Sequence, residues 1–210
     1  MEFKSEWLVK GLVESVFVVG SILMALAVDE WAENRGYAEL ADQTLGIFER
    51  EITQNRARLD DAAPYHRGIR DLLQQMLSSP DMGVDVRDVV EGLETPPLLR
   101  TAWETALATG ALTHMEFEVV SALSLTYSIQ DAFMQRSRIE RPRIGPGEGM
   151  GPAQLADQTR EAYDYVASLA ADEAELLTVF QQALEVIRTH RGIGHVDVRA
   201  DSSGALGDGT

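Results

Sequence analysis

An apolar stretch near the N-terminus constrains this chain more than any other feature. Residues 8–28 read LVKGLVESVFVVGSILMALAV, in which Glu14 is the only charged residue from Gly11 onward. Twenty-one residues of α-helix extend about 30 Å, the thickness of a bilayer hydrocarbon core. Trp7 and Trp31 flank the stretch, so one indole is expected in each interfacial zone. The pattern predicts a single transmembrane helix.

Two other interpretations of this stretch stay open. Ala25-Leu26-Ala27 has the small-x-small form that signal peptidase prefers, which would make the stretch a cleaved signal peptide. A buried core helix of a soluble protein would be equally apolar. Glu14 within the apolar region and a helical pattern that continues past Ala27 without a turn residue favour the uncleaved membrane helix.

The flanking charges predict an orientation. Lys4 and Lys10 lie at the N-terminal end, whereas the other flank begins with acidic residues and has only Arg35 as a cation. The positive-inside bias favours a cytoplasmic N-terminal tail (residues 1–7) and a periplasmic domain.

Small and polar residues recur at three- and four-residue spacing within the stretch, which places them on one helix face. They are Gly11, Glu14, Ser15, Val18, Ser21 and Ala25. Such a stripe is typical of a face that packs against another membrane helix. An intramembrane carboxylate such as Glu14 is a functional candidate; alternatively, it is protonated or reaches the near interface. Contact with a partner helix is the favoured role.

A heptad seam follows the membrane stretch. Residues seven apart form its two rows, Trp31, Ala38, Leu45, Ile52, Leu59 and Asn34, Ala41, Phe48, Asn55, Ala62. Such a seam packs against a second copy or against later helices of the same chain. We expect intramolecular packing, because the later segments also have apolar faces to bury. Pro64 is expected to end this rod, with a second helix from about Tyr65 to Leu77.

The remaining segments complete an antiparallel helical bundle in residues 29–191. Short helices are predicted at 85–93, capped by Asp85, and at 98–109, ending at Gly110. A longer helix is predicted from a capping box at 113–116 to Ile139. Pro152 precedes a last long helix with one apolar face, formed by Leu155, Tyr163, Val166, Leu169, Leu177, Phe180, Leu184 and Ile187. Residues 192–210 are expected to form a flexible tail. No strand pattern appears, so the fold class is all-α.

Composition excludes several classes of protein. A formal net charge of −16 argues against a nucleic-acid binder, which needs a basic face. The absence of cysteine removes disulfides, thiolate nucleophiles and Cys-type zinc sites. The four histidines lack the spacing to carboxylates that a helical metal site shows, and no phosphate-binding loop or nucleophile elbow occurs. We therefore predict no catalytic, cofactor-binding or metal site.

Two motifs resemble a family of uncharacterised bacterial single-pass membrane proteins. Residues 14–35 (ESVFVVGSILMALAVDEWAENR) resemble its Glu-containing transmembrane helix with an Asn/Asp-x-Trp-x-Glu-x-Arg-like exit, of which one residue is shifted here. Residues 101–112 (TAWETALATGAL) are similar to its W-E-x-A segment followed by S/T-G-x-L, and Tyr127 and Gln130 follow in similar places. The family has no assigned function, so the resemblance implies a topology and no activity.

One basic cluster occurs in this acidic chain, at Arg136, Arg138, Arg141 and Arg143. Cations at a helix end complement the helix dipole, which would make the cluster a solvated terminus. Alternatively, it is a dock for an acidic partner or for lipid headgroups.

Together these features predict a non-catalytic accessory or scaffold subunit of a larger complex in the bacterial inner membrane, with respiratory and photosynthetic complexes as candidate hosts. The expected partners are membrane lipid and other membrane-protein subunits, and self-association is open. The alternative is a membrane-tethered periplasmic sensor or ligand-binding bundle. For an enzyme, Glu104 and His114 would be the first residues to mutate.

Overall fold

The computed structural model describes the backbone of residues 3–79, 82–142, 144–145 and 151–203, and the side chains of residues 15–79, 82–142, 144–145 and 151–191. This part of the chain is helical without a strand, which confirms the all-α class. Its helices are α1 (Phe3–Ser78), α2 (Val86–Glu91), α3 (Thr101–Thr109), α4 (Phe117–Ile139) and α5 (Pro152–Ser203), with a 3₁₀ turn at Ala111–His114.

Helix α1 carries both the apolar segment (residues 8–28) and one side of the bundle. Its 76 residues form one helix, about 114 Å long at 1.5 Å per residue. The predicted break at Pro64 is wrong, because Pro64 lies inside α1 and the predicted helix at 65–77 is part of it.

Packing explains why α1 continues through Pro64. Proline removes one backbone donor and crowds the carbonyl group four residues earlier, that of Asp60. Asp60 and Pro64 both lie on the exposed side of the helix, where water can hydrate that carbonyl. The opposite side is buried at Ala63 and His66, and this burial holds the helix together across the missing hydrogen bond.

The heptad seam is buried from Ala41 to Leu59 and half-buried at Ala62, and it pairs with α5. Its buried members are Ala41, Leu45, Phe48, Ile52, Asn55 and Leu59. Trp31, Asn34 and Ala38, nearer the apolar segment, are exposed. The seam therefore packs within the chain, as expected, but over a shorter length than the sequence pattern suggested.

Helices α1 and α5 run antiparallel. Arg191 contacts Asp42, Arg188 contacts Glu49, and Glu173 contacts His66, so residue numbers rise along one helix as they fall along the other. Helix α4 lies beside both, with Tyr127 bonded to Glu51 and Arg136 bonded to Asp172. The predicted antiparallel bundle is thus built mainly from α1, α4 and α5.

Two apolar clusters fill the bundle. The larger joins the middle of α1 to α3, α4 and the later part of α5, and includes Phe48, Phe133 and Phe180. The smaller joins the end of α1 to α2 and the start of α5, and includes Leu73 and Val166. Each fully buried side chain of this size stabilises the fold by roughly 1.5–3 kcal/mol.

The predicted caps of α2, α3 and α4 are confirmed in two cases of three. The carboxylate of Asp85 accepts the Arg87 N–H of α2 at 2.9 Å, and Gly110 ends α3 with a φ of 70°. The predicted capping box at 113–116 is wrong. Thr113 lies in the 3₁₀ turn and donates to the Gly110 carbonyl, while α4 begins at Phe117 without a side-chain cap.

Helix α5 presents most of its predicted face to the core. Val166, Leu169, Phe180, Leu184 and Ile187 are buried, whereas the predicted Leu155, Tyr163 and Leu177 are half-buried. The helix extends to Ser203, so residues 192–203, assigned by sequence to a flexible tail, are helical. Residues 204–210 lie outside the described part of the chain.

The left-handed glycine at the end of α3 gives the first prediction. We expect Gly110→Ala to lower the free energy of unfolding by about 1 kcal/mol, because an L-residue pays 1–2 kcal/mol for a positive φ. The matched control is Gly68→Ala in α1, where a Cβ also meets open space and helix propensity should raise stability by about 0.5–1 kcal/mol. Urea unfolding in detergent, followed by circular dichroism, measures both. Equal shifts for the two variants would contradict the prediction.

Candidate membrane and partner-binding surface

The apolar segment projects from the bundle with its large side chains exposed. In its described part and just beyond, these are Val16, Phe17, Val18, Val19, Ile22, Leu23, Met24, Leu26, Val28 and Trp31. An 18-residue window here has a mean hydropathy of 1.6, and none of it is buried against the rest of the chain. The segment is long and apolar enough to span a membrane.

The predicted packing face forms a stripe along this segment. Ser15, Val18, Ser21 and Ala25 are all exposed and fall within about 120° of the helix circumference. The Ser21 hydroxyl donates to the Val18 carbonyl at 2.8 Å, which satisfies it in an apolar medium. Gly11 and Glu14 precede the residues whose side chains are described, so the role assigned to this face stays a prediction.

Aromatic and charged side chains alternate where α1 leaves the apolar segment. Trp31 is 62 % exposed and lies under the guanidinium group of Arg35, 5.5 Å from its ring centroid. Tyr37 lies one turn after Glu33, and its hydroxyl group donates a hydrogen bond to the Glu33 carboxylate, which raises the pKa of Tyr37. An indole beside a cation suits the headgroup region of a bilayer. The side chain of Trp7, the other predicted anchor, is not among those described.

The other elements of the bundle first contact α1 shortly after the apolar segment ends. The ring of His114, in the 3₁₀ turn, stacks on Tyr37 with centroids 3.9 Å apart. Arg191 of α5 contacts Asp42 at 3.0 Å and Glu49 at 2.9 Å, and these hydrogen bonds raise its pKa. The distance along α1 between the apolar segment and the first bundle contact is therefore only nine residues.

The predicted arginine dock is largely engaged within the chain. Arg136 pairs with Asp172 at 3.1 Å, and burial nevertheless raises the pKa of Asp172. Arg141 donates to the final carbonyls of α2, those of Val90 and Glu91. Arg138 lines an open groove of about 500 Å³ beside α4 and has no ion-pair partner among the described residues. Arg143 is not described.

A buried polar network that the sequence analysis missed joins α1 to α3 and α4. The carboxylate of Glu51 accepts the Ala102 N–H at 2.9 Å and the Tyr127 hydroxyl at 2.7 Å. Ala102 is in the first turn of α3, so Glu51 caps that helix from a distance. Burial, followed by the bond to Glu51, raises the pKa of Tyr127 far above its ordinary value.

The same network includes an amide pair one turn along α1. Asn55 is fully buried; it accepts the Leu99 N–H at 2.8 Å and donates to the Leu99 carbonyl at 2.6 Å. Gln130 of α4 bonds to the same carbonyl and to Asn55. These contacts fix the segment before α3, which places Trp103 against Phe48 and Tyr127. Glu104, by contrast, is exposed and pairs with Arg100.

A second buried polar contact lies where α1, α5 and the segment after α2 meet. His66 and Glu173 are 0 % and 1 % exposed. His66 Nδ1 is 2.5 Å from Glu173 Oε1, and His66 Nε2 is 3.1 Å from the Glu94 carbonyl oxygen. Glu173 Oε2 is buried with no hydrogen-bond partner among the described residues.

Comparison with known proteins identifies no family for this chain. No family model matches the chain. A search of curated proteins and a search of solved structures likewise gave no match. The resemblance carried by residues 14–35 and 101–112 thus stays a prediction, although the second motif contains both the Ala102 amide and Trp103.

The two asparagines of the heptad seam give a matched prediction. Asn55→Ala leaves the Leu99 N–H and one Gln130 oxygen without their partner, so we expect a loss of about 3 kcal/mol in the free energy of unfolding. Asn34→Ala, at the exposed end of the same seam, should change it by less than about 0.5 kcal/mol. Urea unfolding in detergent tests the pair. A small loss for Asn55→Ala would show that the network does not stabilise the fold.

Proposed function

We propose that this protein is a membrane-anchored, non-catalytic scaffold subunit that docks sideways against another membrane protein of the inner membrane. One observation carries the proposal. A single uninterrupted helix, α1, is exposed and apolar at residues 15–28 and forms one side of a packed bundle along its second half.

The exposed apolar segment supports a membrane location. Soluble monomers rarely expose a contiguous apolar patch of more than a few hundred Å², whereas this segment exposes large apolar side chains around its whole circumference. In a bilayer the same side chains face lipid, and the helix satisfies its own backbone hydrogen bonds. Lys4, before the segment, and Lys10, in its first turn, support a cytoplasmic N-terminus with the bundle in the periplasm.

The packing stripe supports a protein partner in the membrane. Lipid tails are as apolar as leucine, so membrane helices associate through close packing of small residues and through polar contacts. The stripe offers both at Ser15, Ser21 and Ala25, while the opposite face, at Val16 and Leu23, is bulky and apolar. Lipid contact suits the second face, and a partner helix suits the first.

The rigid exit from the membrane supports a scaffold role. Contacts at Tyr37, Asp42 and Glu49 fasten the bundle to α1 within a few turns of the apolar segment. Docking of the segment against a partner helix would therefore fix the position and direction of the bundle on the same partner.

The topology can be tested with single cysteines, because the natural chain has none. We expect Gly36→Cys, where the added side chain meets open space, to react with a membrane-impermeant maleimide in cells with a permeabilised outer membrane. Ser5→Cys should react only after lysis. The opposite labelling pattern would place the bundle in the cytoplasm and contradict the proposed orientation.

The docking face can be tested with two alanines on opposite sides of the helix. Ala25→Leu puts bulk on the packing stripe, and Ala27→Leu puts the same bulk on the face turned away from it. After mild-detergent purification from native membranes, we expect at least a fivefold loss of co-purifying subunits for Ala25→Leu and none for Ala27→Leu. Migration of the wild type as a lone monomer or homodimer would reject the scaffold role.

A further inference from the structure

The geometry of the buried His66–Glu173 pair fixes the number of protons that it holds. The Glu94 carbonyl can only accept, so His66 Nε2 carries a hydrogen and donates it. His66 Nδ1 and Glu173 Oε1 are 2.5 Å apart, and two lone pairs would repel at that distance. One further hydrogen must lie between them, either on the imidazole ring or on the carboxyl group.

We propose that His66 and Glu173 form a proton-binding site that fastens α5 to α1, and that loss of its single proton loosens this contact. The site joins three parts of the fold, because Glu94 belongs to the segment that follows α2. Without the shared hydrogen, Nδ1 and Oε1 must separate, and a buried carboxylate with an unpartnered Oε2 would be left in an apolar setting.

The unfolded chain sets the pH range in which this proton matters. There, a glutamate loses its proton near pH 4.3 and a histidine near pH 6.5. Between these values the unfolded pair also holds one proton, so the pair adds no pH dependence. Above about pH 6.5 the unfolded pair holds none, and folding must take one up. The folding equilibrium constant should therefore fall by up to about tenfold per pH unit above this point.

Other titratable groups lie around the pair. Those on or near the elements packed against it are Tyr65, the exposed Glu94, Glu140, Arg136, Arg141, Tyr165 and Asp172. Burial raises the pKa of Asp172 from an acidic value and that of Tyr165 from an already alkaline one. The remaining histidines with described side chains are His114 and His190, and His190 serves as a control.

The variant Glu173→Gln separates the proton from the contact. A glutamine amide can donate to the Nδ1 of a neutral imidazole while Nε2 still donates to Glu94, so both hydrogen bonds survive without an exchangeable proton. For full-length protein in detergent, the equilibrium constant from urea unfolding is measured from pH 5.5 to 8.5. We expect the ratio of wild type to Glu173→Gln to fall about tenfold per pH unit across this whole range. Above pH 6.5 the wild-type constant falls as the pH rises. Below it the variant's constant falls instead as the pH drops, because the unfolded histidine takes up a proton that the folded variant does not hold.

Two further variants make the result decisive. His190→Gln removes a histidine elsewhere on α5 and should keep the pH dependence of the wild type. The double variant His66→Phe with Glu173→Leu replaces the pair by apolar side chains, a change that buried ion pairs often tolerate. The ratio of wild type to this double variant should stay constant below pH 6.5 and fall about tenfold per pH unit above it, because neither state of the double variant holds a proton at these positions. The double variant takes the place of Glu173→Gln if glutamine prevents folding. The proposal would be overturned if the unfolding equilibrium constants of Glu173→Gln and of the double variant both followed the same pH dependence as that of the wild type.

Discussion

The antiparallel contact between α5 and the second half of α1 is the interaction on which the other elements depend. Neither helix could bury its apolar face alone, and α4 packs against the surface that the two create together. The short elements are then held by polar side chains on α1. Glu51 caps α3 and Asn55 binds the backbone just before it, so a segment without a strong helical pattern of its own gains a defined position. Buried polar groups of this kind specify one arrangement, since each is costly without its partner.

The sequence predicted the helical class, the end of α3 at Gly110 and the end of α4 at Ile139, because these depend on local signals. It failed at Pro64, where the local preference of proline competes with burial on the far side of the helix. Continuing the seven-residue spacing past Leu59 would have reached His66 and Leu73, which are both fully buried. The seven-residue spacing therefore predicts a helix that continues through Pro64, and the prediction failed because the local effect of proline was given more weight.

The sequence predicts where the candidate surface lies, but it does not predict which side chains contact each other there. Hydropathy and the small-residue spacing identify the apolar segment and its stripe, since both patterns lie within one helix. Arg136 donates a hydrogen bond to Asp172, and Arg141 donates to carbonyl groups of α2. These contacts join residues that are between 36 and 51 positions apart in the sequence. No local pattern encodes such partners. The Glu51–Tyr127 and His66–Glu173 contacts were missed for the same reason, as each depends on how three separate parts of the chain come together.

The unbroken course of α1 through the exit at Trp31 makes the helix a lever arm. From Val28 to Ser78 it extends about 75 Å, with the bundle packed along most of that length. A 10° change in the tilt of the apolar segment would move the far end of this arm by about 13 Å, by simple geometry on the same helical rise. If the segment docks against a neighbouring helix as proposed, a small adjustment there would be magnified into a displacement comparable to the width of an α-helix. Such a displacement would change the distance of α2, and of the 500 Å³ groove beside α4, from the neighbouring helix.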